Sequence, residues 1–256
     1  MQFTPFWVIL SGMRKTALLA VIAAVLILCG CTVTQSVSLG RKGNGSTGVT
    51  LETTDFFKDL IVDLTSFTDI GEDDGRTPDT VLLDRSIGTL WANIQKSSAS
   101  TSSYFWRTPE RVYMGEISFS NLPTLIADLG AKAGRSDIDS LFRLEDKSLT
   151  IRIAMENWHV LTELVPFLTE ENFETYGPVY NHGQDEEEYL EMMDFILGDE
   201  TSAQILGSLI ILRITAPGRI TDTNGTPESA DTVAFAIPLI RLLLLNEDIE
   251  LHLSWE

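Results

Sequence analysis

Three histidines, a run of acids and a glycine-rich turn are the residues whose types could carry chemistry in this chain of 256. His159, His182 and His252 each stand apart in sequence from a second metal ligand. His159, beside Trp158, reads as a packed helix residue, and His252, between Leu251 and Leu253, as a strand residue. No Gly-x-Ser-x-Gly elbow occurs, so a serine nucleophile has no support. Asp185-Glu186-Glu187-Glu188 with Glu191 and Asp194 sets Glu187, Glu191 and Asp194 along one helical stripe, and such hard oxygens suit calcium. The loop of a dedicated calcium site is missing there, and Asp69 to Gly75 also lacks its spacing; acids at a helix N-terminus are explained by the helix dipole. Gly43-Asn-Gly45-Ser-Thr-Gly48 spells the dinucleotide fingerprint, whose glycines must turn a strand into a helix that holds pyrophosphate. Here they lead into another strand and read as a hairpin turn. The expectation is a non-enzymatic chain with no catalytic residue, no metal and no cofactor.

The thiols point elsewhere. From Met13 the chain runs through Arg14 and Lys15, an apolar stretch from Ala17 to Leu28, and Leu28-Cys29-Gly30-Cys31. That is the build of a secretory signal peptide, and the apolar stretch falls short of the roughly 20 residues of a membrane-spanning helix. Leu-Cys-Gly-Cys matches the lipobox of bacterial lipoproteins, in which the last cysteine is acylated and becomes the new N-terminus. The expected anatomy is a signal peptide over 1–30, with Met13 as the expected start, and a single lipid-anchored domain over 31–256. The alternative, a retained anchor joining Phe6–Leu10 to the later stretch, is interrupted by Arg14 and Lys15. Acyl chains on Cys31 would hold the domain to the cell membrane or the outer membrane, outside the cytoplasm.

Cleavage leaves 226 residues and takes the net charge from −19 to −21, because Arg14 and Lys15 leave with the signal. Cys29 leaves too and Cys31 is acylated, so no disulfide remains and stability must come from the core. So acidic a domain is a poor nucleic-acid partner and is repelled by anionic lipid.

Along the mature chain, Val33 to Leu39 and Val49 to Leu51 alternate around Gly40–Gly48 as a hairpin. Thr53 or Thr54 caps a helix bearing Phe56, Phe57, Leu60, Ile61 and Leu64, and Thr77-Pro78 opens a second helix that ends near Lys96. The serine-rich segment 97–103 reads as a flexible loop. Val112 to Phe119 reads as a strand and Leu122 to Leu129 as a helix. Leu141 to Leu144 and Leu149 to Ile153 read as strands, followed by a helix through Trp158 and Val165. Asp185 and Glu188 form a capping-box-like start for a helix with Tyr189, Met192, Met193 and Ile196 on one face and Gly198 at its stop. Leu209 to Thr215 and Thr232 to Ile237 read as strands around a polar loop, Asp222 to Asp231. Pro238 to Leu245 reads as apolar helix and Ile249 to Trp255 as the last strand. Strand, strand, helix recurs three times. The expected class is α+β, a mainly antiparallel sheet built from such units with helices packed on it.

Apolar density is the remaining signal: Phe235 to Leu245, Met192 and Met193, and Tyr104, Phe105, Trp106, Trp158, Phe167 and Tyr180. Met and aromatic side chains can line a lipid-sized cavity or fill a core. The stretch Phe173 to Gly198, with its Tyr-Gly-Pro-Val-Tyr-Asn-His and Asp-Glu-Glu-Glu-Tyr-Leu-Glu-Met-Met, then Thr215-Ala-Pro-Gly218 and the segment from Ile237-Pro-Leu to Leu-Ser-Trp255, resembles lipoproteins of treponeme-like spirochaetes. The hairpin after Cys31 and the tryptophan-ending last strand resemble, more distantly, the LppM-type lipoprotein domain. Neither resemblance implies an activity, and neither carries over a functional residue. The expected role is a binding or structural component of the cell envelope that meets another envelope protein. The alternative is a carrier or sensor of a lipid-like apolar ligand.

Overall fold

A computed structural model describes residues 32–52, 78–108, 112–130, 135–165, 168 and 174–256. The expected signal peptide, Cys31, the expected helix over Phe56–Leu64 and the expected cap Thr77 lie outside these residues.

The chain enters the fold as a hairpin of β1 (Thr32–Leu39) and β2 (Gly45–Glu52), paired from Thr32↔Glu52 to Leu39↔Gly45. The alternation reads true, and the turn is tighter than expected, closing at Gly40–Asn44 with Gly43 at φ 74°, a conformation open to glycine. Gly43 therefore serves the hairpin, and no helix follows it.

After α1 (Pro78–Lys96), β3 (Ser100–Arg107) and β4 (Val112–Phe119) extend the same sheet. β7 (Leu209–Thr215), β9 (Thr226–Pro227) and β10 (Thr232–Pro238) complete seven strands in the order β3-β4-β2-β1-β7-β10-β9. All neighbours are antiparallel except β1 and β7, which run parallel with Thr32 opposite Leu209. A second sheet, β5 (Phe142–Glu145), β6 (Ser148–Ile153), β8 (Ile220–Thr223) and β11 (Ile249–Trp255), has the order β5-β6-β11-β8 and is wholly antiparallel. The α+β class holds, with two sheets where the sequence pattern suggests one.

The sheets meet in one hydrophobic cluster. Phe119, Ile214, Val233 and Phe235 come from the first, and Leu149, Leu251, Leu253 and Trp255 from the second. α1 adds Trp91 and Ile94, α2 (Leu122–Leu129) adds Leu125, α3 (Arg135–Leu141) adds Ile138, and α4 (Trp158–Leu164) adds Val160. Trp91 lies so close over β4 that a Cβ on Gly115 would sit 2.1 Å from its ring, so only glycine admits the indole there.

A smaller cluster of Tyr189, Met193, Ile205, Ile240 and Leu244 joins α6 (Glu186–Leu197), α7 (Thr201–Gly207) and α8 (Leu239–Leu244), and α5 (Pro178–Asn181) packs against α8. Ile205 closely precedes the first residue of β7 and Ile240 closely follows the last of β10. The helices are therefore rooted at the end of the sheet where β1 begins.

Two expected loops are strand instead. Segment 97–103 makes a turn and then the first half of β3. Asp128 Oδ2 accepts from the Ser97 hydroxyl at 2.7 Å and the Ser98 N–H at 3.0 Å, and β4 supplies the backbone ladder that small polar residues need to stay extended. Asp222 to Asp231 contains the end of β8 and all of β9. The Thr223 hydroxyl donates to His252 O and the Asn224 amide to Glu250 O, so side chains extend the pairing where the strand is too short to show a period.

Candidate functional site

Alternation on β11 buries Leu251, Leu253 and Trp255 and turns Glu250, His252 and Ser254 outward. Register sets Thr150 of β6 opposite His252 and Asp222 of β8 opposite Ser254. His252 Nδ1 then lies 3.3 Å from Thr150 Oγ1, and its Nε2 lies 3.2 Å from Ser254 Oγ and 3.4 Å from Asp222 Oδ2. A histidine isolated in sequence thus meets a carboxylate and two hydroxyls in space.

Carboxylate, imidazole and hydroxyl in that order are the parts of nucleophilic catalysis. The setting is a different matter. β6 and β11 are interior strands, and the His252 N–H donates to Asn224 Oδ1 at 2.8 Å. Asp222 is largely exposed, whereas Thr150, His252 and Ser254 are half-buried.

The other histidines have local partners as well. His159, expected to be packed, is exposed and 3.5 Å from Asp137, because the helix turns its neighbour Trp158 inward instead. His182 Nδ1 is 2.9 Å from Leu245 O, tying α5 to the end of α8.

The acidic stripe lines an open groove of about 490 Å³ between α6 and α7, walled by Glu187, Glu191, Asp194, Leu190 and Leu206. Two of the groove's carboxylates are engaged at helix starts. Asp185 Oδ1 accepts from the N–H groups of Glu187 at 2.9 Å and Glu188 at 3.4 Å, and Asp194 Oδ1 accepts from Ser202 N–H at 2.7 Å. Among the described residues no three His, Cys, Asp or Glu side chains converge at ligating distance. A second open depression, about 670 Å³, is bordered by Glu145, Asp146, Lys147, Ser148, Ser254 and Trp255.

The apolar residues divide. Phe235, Met193 and Trp158 are core, and Phe167 lies outside the described residues. Tyr189 is fully buried and its hydroxyl donates to Tyr176 O at 2.8 Å; burial, reinforced by Tyr176, holds its phenol well above the ordinary range. By contrast Tyr104 and Trp106 project from edge strand β3, and Phe195, Ile196 and Leu206 project from α6 and α7. Ile196 departs from the expected buried face of α6. The exposed set was not legible as a set, because its members are far apart in sequence and exposure of a single apolar residue is ordinary.

Cys31 is covalently joined to Thr32, the first residue of β1, which is the fourth of seven strands. Fold and sequence together define a two-sheet α+β domain with Cys31 directly before its central strand. No family model and no curated protein matches the chain. Among solved structures it shows a weak likeness to the folded domain of the Mycobacterium tuberculosis LppM protein determined by NMR, with a TM-score of 0.35 and 11% identity over 88% of this chain and 90% of that one.

Proposed function

We propose that this chain is an exported lipoprotein, acylated on Cys31, whose domain serves the cell envelope by binding or as a structural component and not by catalysis. The observation that carries the reading is the junction itself. A lipobox closes a signal-like segment, and the very next residue, Thr32, is paired to both Glu52 and Leu209. The partner is another envelope component outside the cytoplasm, and nucleic acid is disfavoured by the charge of −19. The apolar-carrier alternative would require an apolar cavity, whereas the two depressions described above are open and edged by carboxylates.

The test is metabolic labelling of the full chain in a bacterial host with palmitate. Label enters the wild-type protein and is absent from Cys31→Ser, which accumulates as unprocessed precursor. Equal labelling of the two proteins would overturn the reading.

A further inference from the structure

The tether has almost no slack, and that fixes which part of the domain meets the bilayer. Once Cys31 is acylated, a single peptide unit of about 3.8 Å separates the lipid-bearing residue from Thr32. Thr32 is already held on both sides, by Glu52 of β2 and Leu209 of β7. The domain therefore cannot drift away from the surface, nor present its far end to it. The hairpin turn at Gly40–Asn44 stands at the other end of eight-residue strands, about 24 Å away.

The residues at the near end follow from register. On one side, Glu52 pairs with Val112 of β4, and Trp106 of edge strand β3 lies opposite Met114, level with Thr34. On the other side, Leu209 pairs with Pro238, and the α6–α8 cluster is rooted there through Ile205 and Ile240. Both sides expose large apolar side chains. Trp106 is 43% exposed, Leu206 50%, Ile196 48% and Phe195 91%. Water is an unfavourable neighbour for Phe195, and the headgroup boundary is the usual place for an indole with one apolar and one wet side.

We propose that this rim, Trp106 on one flank and Phe195, Ile196 and Leu206 on the other, is a bilayer-docking face seated in a zwitterionic headgroup layer. The inference rests on the acylation of Cys31 argued above. Acids beside the rim, Glu187, Glu191 and Asp194, oppose an anionic surface, so the attraction is apolar and the lipid zwitterionic.

The full chain, processed and acylated in a bacterial host, is reconstituted into phosphatidylcholine vesicles. Trp91, Trp158 and Trp255 are buried, so Trp106 is the one exposed tryptophan among the described residues. Bromine on the acyl chains quenches part of the tryptophan emission, and Trp106→Phe removes most of that quenching. With Cys29 cleaved off and Cys31 acylated, an introduced cysteine is the sole free thiol. Spin labels at Phe195→Cys and Leu206→Cys are at least threefold less accessible to a water-soluble relaxation agent than one at Lys42→Cys in the distant turn. Equal accessibility at all three positions, in protein whose mass includes the lipid on Cys31, overturns the docking face and leaves the tether standing. Protein without that mass overturns both.

Discussion

Asp128, near the end of α2, holds a turn through three bonds to one carboxylate oxygen: the Ser97 hydroxyl at 2.7 Å, the Ser98 N–H at 3.0 Å and the Ser98 hydroxyl at 3.2 Å. The Ser97 hydroxyl does most to hold the carboxyl below its ordinary value of 3.8; the cost of burial works against it, and the two Ser98 donors add to it. A depressed carboxylate pKa stabilises the fold above the unfolded value and loses that contribution as pH falls through the folded value. Asp128→Asn is therefore less stable than wild type at pH 6, and the gap closes as pH falls below 3.8. Urea midpoints of both proteins from pH 6 to pH 3 check this, and a gap of constant size would contradict it. None of this network is visible in sequence, because the serines and the aspartate are 30 and 31 residues apart. The same holds for His252. Its strand position follows from Leu251 and Leu253 beside it, whereas its contact with Thr150 spans 102 residues.

The best-read element is α6, because its start and stop are written locally. Asp185 caps it through the N–H groups of Glu187 and Glu188, and Gly198 ends it. Asp185→Ala removes an acceptor from two helix N–H groups and lowers stability by about 1 kcal/mol, measured by denaturant unfolding. A loss confined to α6 and its neighbours would appear first in hydrogen exchange of Tyr189 to Leu197, since the small cluster they form is separate from the main core. Elements whose pairing is supplied from elsewhere were harder to read. β3 opens with Ser-Thr-Ser-Ser, a composition that resembles a linker, and becomes strand because β4 lies alongside it from Ser100 to Arg107. β8 and β9 are four and two residues long, too brief for a period to register. The sequence pattern also cannot tell that β7 settles parallel beside β1, since alternation specifies a face and not a neighbour.

For the whole molecule, the consequence of that parallel pairing is mechanical. β1 lies inside the sheet, between β2 and β7, so a pull on Thr32 is carried by two ladders. Anchor and docking rim can then be separated by design. Twelve Gly and Ser residues inserted between Cys31 and Thr32 give a flexible spacer with an average span of about 19 Å, comparable to the length of the strands themselves. The insertion precedes Thr32, the first paired residue among those described, and leaves Leu28 to Cys31 unchanged, so on the proposed reading the spacer variant still carries its lipid. If close tethering is what presses the rim onto the bilayer, the spacer variant stays vesicle-bound, its Trp106 loses most of the quenching by brominated lipid, and the shielding at Phe195→Cys falls toward that at Lys42→Cys. Should the rim have affinity of its own beyond the tether, quenching would persist in the spacer variant and disappear only when Phe195→Ser and Leu206→Ser are added to it. Vesicle flotation with tryptophan emission read on the same fractions separates the two cases, since the anchor is scored by flotation and the orientation by the bromine.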